Sequence, residues 1–262
     1  MAEIIERNKL YDLLISHEKW LDGDSDGERA DLSEANLLNV DISGANLSYA
    51  NLTGADLGGA NLSKANLTGA KMAGVNLTGA NLESAELYGA DLTFAAMNGA
   101  NLSGASLRTA ILREAYLSGA DLTGADLRSA DLYYANLPDS IMNDAILRDA
   151  DISQANLQNA KLIDADLRKT RLNGSDLSGV DLRGANLEEA GLNGANLSGA
   201  DLYKSNLRRA YLDNCDLRGA NLSGGVFSHA DLSSANLENA NLSHADLRGV
   251  FLNEVELNGA DF

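Results

Sequence analysis

Cysteine, proline and tryptophan each occur once in 262 residues, histidine occurs three times, and aromatic residues make up only 5% of the chain. One cysteine, Cys215, excludes an internal disulfide framework. So few aromatics mean that any core must be built from aliphatic side chains. No apolar run approaches the roughly 18 residues of a membrane-spanning helix. The N-terminus lacks a signal-peptide layout, so a cytoplasmic protein is expected. Positive charge is also scarce, with 20 Lys and Arg against 38 Asp and Glu, a net −18 and a pI near 4.4. Such a surface repels nucleic acid and membranes and attracts basic protein surfaces. The same acidity also keeps a leucine-rich repeat soluble.

What fills the chain instead is one five-residue pattern, Ala-Asp/Asn-Leu-x-x, running from Ala30 to Phe262 without insertion or deletion. Of its 47 central positions, from Leu32 to Phe262, 40 are Leu and the others are Ile, Met or Phe. A period of five suits neither ordinary element. On a helix it rotates successive leucines by about 140°, and on a flat strand it alternates them between faces. All can face one core only if the chain bends after every unit, which makes a solenoid of stacked coils.

Of 25 glycines, 20 hold the last position of the unit, where a type II turn requires positive φ. The residue two before each central one is Ala or another small residue, as a narrow core requires. Aspartates at the second position suggest the size of the coil, because stacked like charges repel. Three units per coil would stack seven Asp–Asp pairs, whereas four would stack two, Asp131 over Asp151 and Asp181 over Asp201. The spacing leans towards a square coil of 20 residues.

The run of such units, for example Ala45-Asn46-Leu47-Ser48-Tyr49 and Ala50-Asn51-Leu52-Thr53-Gly54, resembles the pentapeptide-repeat proteins over residues 30–262. The resemblance implies an all-β solenoid, a right-handed quadrilateral parallel β-helix of nearly twelve coils. At about 4.8 Å per coil that is a rod of roughly 55 Å. It also implies the central Leu and the preceding small residue pointing inward.

Residues 1–29 stand apart as a capping helix and acidic linker. Leu10, Leu13, Leu14, His17 and Leu21 follow helical spacing over 2–21, with Trp20 beside them and Gly23 as the stop. Covering the open backbone edge of the first coil is the expected task, and partner binding is the alternative. Asp22-Gly23-Asp24-Ser25-Asp26-Gly27 resembles the start of a calcium loop, but position 12, where the bidentate Glu belongs, is Ser33, and Glu34 comes one residue late. An acidic linker is the expected reading. At the other end Phe251, Val255, Leu257 and Phe262 form an apolar last coil, and end-to-end pairing of two rods is one expectation.

Catalytic residues are not evident. His229 and His244 fall on adjacent corners of a square coil, so they make no metal pair. The glycines follow the turn period rather than a phosphate loop, and a leucine-filled interior leaves no ligand cavity. A non-enzyme without cofactor or metal is expected. One stretch departs from the surface pattern. Nine consecutive corners from Ser129 to Lys169 lack glycine, and the only proline, Pro138, lies among them. Ile111, Tyr116, Ile141 and Ile146 place apolar groups at an outward position, with Tyr133 and Tyr134 between them. Exposed apolar groups on a polar rod mark a candidate partner-binding site; the competing reading is that corner types differ and drift fills the rest.

The expected function is a non-catalytic scaffold, an acidic rod that docks a protein partner with a basic surface. The resemblance also implies two narrower alternatives. One is DNA mimicry towards a type II topoisomerase such as gyrase, although this chain has few central phenylalanines, no interrupting loop and an added helix. The other is a regulatory or structural role of the kind found in cyanobacteria.

Overall fold

A computed structural model describes residues 7–262, with side chains from Lys9 onward. Helix α1 spans Arg7–Leu21; the part of the expected helix from 2 to 6 lies outside the described residues. Gly23, at φ 79°, closes the helix. The Asp24 N–H reaches the Lys19 carbonyl at 2.9 Å and the Gly23 N–H reaches Trp20 at 3.1 Å. This pair of bonds is the Schellman stop, which uses a left-handed residue after the last turn to satisfy free carbonyls.

From Asp31 onward every parallel bridge joins residues 20 apart, beginning with Asp31 to Asn51 and ending with Asn241 to Asp261. Four units therefore make one coil. The bridges are single-residue contacts, with no continuous strand among the described residues. They form four ladders, beginning at Asp31, Asn36, Asp41 and Asn46.

The hydrogen bonds explain the unit residue by residue, since buried backbone groups must be paired. In the middle of the rod the Leu102 N–H reaches Asp121 in the next coil at 2.6 Å. The corner Gly104 N–H reaches Thr123, also in the next coil, at 2.9 Å. The Asn101 N–H reaches back to Ala80 at 2.9 Å, and the Ala105 N–H closes the turn on Leu102 at 3.0 Å. The fifth N–H, on Ser103, is taken by the Asn101 side-chain oxygen at 3.0 Å. That last bond accounts for Asp or Asn before the leucine: an acceptor of this length caps the amide two residues on.

Asparagine does a second job. Its side-chain N–H₂ donates to the ladder residue one coil back, as Asn51 does to Asp31 and Asn76 to Asp56. The two Asp–Asp stacks are bracketed by arginines. Arg113 and Arg171 hold Asp131 and Asp151, and Arg183 holds Asp181 and approaches Asp201 at 3.7 Å.

Central side chains from Leu32 to Leu242 are buried in one continuous column. Inward hydroxyls are satisfied, with Thr170 and Ser175 donating to the Leu147 and Ile152 carbonyls at 2.7 Å. The Cys215 thiol is pushed up to about 12 by burial, which removes it from thiolate chemistry. Corner geometry differs from the sequence reading in one respect. Positive φ, between 55° and 71°, occurs at every corner, but 26 of these corners are not glycine. Interlocked bonds on both sides impose the left-handed conformation, and even Thr109 and Phe94 adopt it.

Helix α1 seats on the first coil. Leu10 is buried in the core, with Leu13 and Leu14 packed against it. Leu21 is half-buried and Trp20 is the more exposed partner, stacked on His17 at 5.5 Å. His17 itself is fully buried. Its Nδ1 accepts the Ala30 N–H at 3.1 Å, so Nε2 carries the proton and donates to the Ser48 carbonyl at 3.0 Å. Burial, with the Arg29 charge nearby, holds its pKa below the usual value. Gly27 is fitted to this joint, because a Cβ there would lie 2.1 Å from the Trp20 nitrogen.

Candidate partner-docking edge

The square coil separates the seven residues singled out as a partner site. Ile111 and Tyr133 project from the Asp31 face, and Tyr116 and Pro138 from the Asn36 face. Tyr134 stands at the corner between those faces. Ile141 belongs to the Asp41 ladder and Ile146 to the Asn46 ladder, on other sides of the rod. The sequence stretch is continuous, but a chain that turns every five residues does not keep its neighbours on one face.

What the fold does bring together is an aromatic edge. Tyr116 is 49% exposed and Tyr134 52%, and together they line a hollow of about 380 Å³ with Glu114 and Asn136. Tyr133 meets Tyr134 edge to face at 4.4 Å. Hydrogen bonding to Tyr134 raises the pKa of Tyr133. Arg113 lies 5.8 Å from the Tyr133 ring centre and ties its guanidinium to Asp131. Phe94, 52% exposed, occupies the same corner column two coils earlier. Sequence reading missed it because 40 residues separate it from Tyr134; the 20-residue register was the signal that would have found it.

Two family models cover most of the chain. One, for pentapeptide repeats, matches eight copies within residues 24–188, and the other, for a pentapeptide repeat region, matches residues 185–262. The chain is a pentapeptide-repeat protein. Known structures of that family are right-handed quadrilateral β-helices. Comparison with curated proteins gives no significant match. Among solved structures, HetL, a pentapeptide repeat protein involved in heterocyst differentiation regulation in the cyanobacterium Nostoc sp. strain PCC 7120, is 33% identical. The match covers 98% of this chain and 96% of HetL, with a TM-score of 0.45. QnrB1, a plasmid-mediated fluoroquinolone resistance protein, is 19% identical over 85% of this chain and 93% of its own, also at 0.45. A pentapeptide repeat protein of the Arabidopsis thaliana thylakoid lumen is 31% identical over 43% of this chain and 68% of its own, at 0.20.

The register of this pentapeptide-repeat protein also divides its charge. Outward side chains sum to −6, −5 and −4 on the Asp31, Asn36 and Asp41 faces, but to +1 on the Asn46 face. That face carries a column of arginines at one position of the unit: Arg108, Arg128, Arg148, Arg168, Arg208 and Arg248. Composition alone suggested a uniformly acidic rod, and the 20-residue coil corrects it. Several of these arginines are neutralised locally. Burial alone would raise the pKa of Asp166, yet hydrogen bonds from Arg168 and Arg148 hold it at about 2. Arg128 grips Asp126 in the same way.

At the C-terminal end of the described fold Phe251, Leu257 and Phe262 are exposed and Val255 is half-buried. Near the helix, Asp24 spends its side chain on the Asp26 N–H at 3.0 Å, a turn within the linker. No cluster of His, Cys, Asp or Glu suited to a metal ion occurs among the described residues.

Proposed function

We propose that this pentapeptide-repeat protein is a non-catalytic scaffold that docks a protein partner along the Phe94–Tyr116–Tyr134 edge. The observation that carries the proposal is three exposed aromatic rings gathered on one edge, two of them, Tyr116 and Tyr134, lining a shallow hollow. Aromatic side chains with large exposed area are the groups that dominate binding energy once covered. Glu114, Asp131 and Asp139 flank them and favour a partner with basic residues around an apolar centre.

The direct test is quantitative capture from cell extract, comparing the native chain with Tyr116→Ser/Tyr134→Ser and with Tyr203→Ser/Tyr211→Ser, which removes equally exposed tyrosines elsewhere. Loss of one specific protein in the first variant alone supports the edge. Equal capture by all three rules it out. The narrower topoisomerase reading draws on the acidity of three faces, and a supercoiling assay with and without the protein decides it. The arginine column weakens that reading, because a duplex is negative on every side.

A further inference from the structure

Between Arg108 and Arg248 the arginine column is broken twice, by Glu188 and by Ser228. At position 228 the rung is Ser228, and a hollow of about 600 Å³ opens there. Its walls are Arg208, Val226, Ser228, His229, Asp246 and Arg248. Two coils separate Arg208 from Arg248, about 10 Å along the rod. The second position of the Ser228 unit is Val226, so that unit itself brings no carboxylate to the gap.

Arg208 differs from three other members of the column. For Arg128, Arg168 and Arg248 the residue two before is an aspartate that holds the guanidinium. For Arg208 it is Asn206, whose side-chain oxygen takes the Arg208 backbone N–H at 3.1 Å and whose nitrogen donates to Asn186 at 3.0 Å. Arg208 therefore lacks the carboxylate two residues before that holds Arg128, Arg168 and Arg248, and no ion pair within 4.0 Å joins it to Glu188, one coil away in the column. Arg248 keeps Asp246, yet its side chain remains largely exposed, and a guanidinium carries five N–H donors, more than one carboxylate uses. Ser228 and His229 add hydrogen-bonding groups between the two cations. Asp246 is the one acidic group lining the hollow, and Arg248 already holds it at about 2.

We infer that this hollow binds a phosphoryl dianion, with Arg208 and Arg248 approaching its oxygens from opposite sides and Ser228 donating from below. Planar, forked guanidinium groups suit a tetrahedral oxyanion. The net charge of −18 does not prevent this, because exposed charges beyond about 8 Å are screened at physiological salt. The inference stands independently of the aromatic edge, which lies on other faces.

Isothermal titration with inorganic phosphate and with a short phosphoserine peptide tests it, alongside NMR of the His229 ring. Saturable binding with movement of the His229 signals is expected from the native chain. Arg208→Gln should weaken it about tenfold or more, since a charge-assisted bond is lost. Ser228→Arg is the sharper variant: it adds a positive charge but fills the gap, so the hollow predicts loss of binding. Binding by Ser228→Arg as tight as native, or tighter, would mean general attraction to the column and would overturn the inference. Absence of saturable binding by either probe would overturn it too. A peptide bound more tightly than phosphate assigns the group to a modified protein, and equal affinities assign it to a small ion.

Discussion

Replacing His17 with Leu should detach α1 from the rod while leaving the rod folded. The imidazole makes two bonds that join the helix to the coil, to the Ala30 N–H and the Ser48 carbonyl. Leucine fills similar volume but satisfies neither group, and each buried backbone group left unpaired costs roughly 1–3 kcal/mol. The helix should thus lose about 2–6 kcal/mol of its docking free energy. In a solenoid each coil contacts only its neighbours, so the loss stays local. Trp20, the only tryptophan, stacks on His17 and reports on this joint alone. Urea titration followed by Trp20 fluorescence should show a clearly lower midpoint in His17→Leu, while the far-ultraviolet signal of the rod keeps its own. Acidification should act in the same direction. The folded pKa lies below the unfolded value near 6.5, so the unfolded state binds the proton more readily. Docking is fully stable above that pH and weakens as pH falls below it. His17→Leu should lose this dependence. Identical Trp20 midpoints for the two proteins would refute the account of the joint.

Three further outcomes follow from the same structure. Gly225→Ala should destabilise the rod by about 1–3 kcal/mol, because a Cβ there would stand 2.7 Å from the Phe227 ring; Phe227→Leu should restore the denaturation midpoint. Asp166, held at about 2 against an ordinary 3.8, contributes stability that is present above pH 3.8 and is lost as pH falls through about 2. Carboxylate NMR titration should place it there, and Arg148→Gln with Arg168→Gln should raise it. If two rods pair through the coil bearing Phe251 and Phe262, light scattering should show a concentration-dependent dimer that Phe251→Ser/Phe262→Ser abolishes; a monomer at high concentration ends that proposal.

The architecture was legible because one constraint, leucine every five residues, admits a single solution. The coil size was legible as well, since the Asp–Asp count reported the cost of stacking like charges, and the bridges follow the same 20-residue register. Gly23 marked the helix stop for the reason the structure shows. Other features were hidden. Second-position Asp and Asn read only as surface charge, whereas most of them accept an amide two residues on. Glycine marked the corners by its freedom at positive φ, yet neighbouring coils force the same φ on Thr109 and Tyr134. His17 looked like one apolar-face residue among several, because its two partners lie 13 and 31 residues away. Ile141 and Ile146 joined the candidate patch by sequence proximity and left it once the chain turned. Phe94 and the arginine column had the opposite fate, distant in sequence and aligned in space.

The stacking of coils can be measured as a distance. Thr78 and Arg218 occupy the same position on the same face, 140 residues apart, which is seven coils of 20. Spin labels at Thr78→Cys and Arg218→Cys, with Cys215→Ser, should give a narrow distribution near 34 Å by double electron–electron resonance, at about 4.8 Å per coil. Three units per coil would place the labels roughly 45 Å apart. A distribution centred there, or one too broad to define a distance, would contradict the four-unit coil on which every face and ladder described above depends.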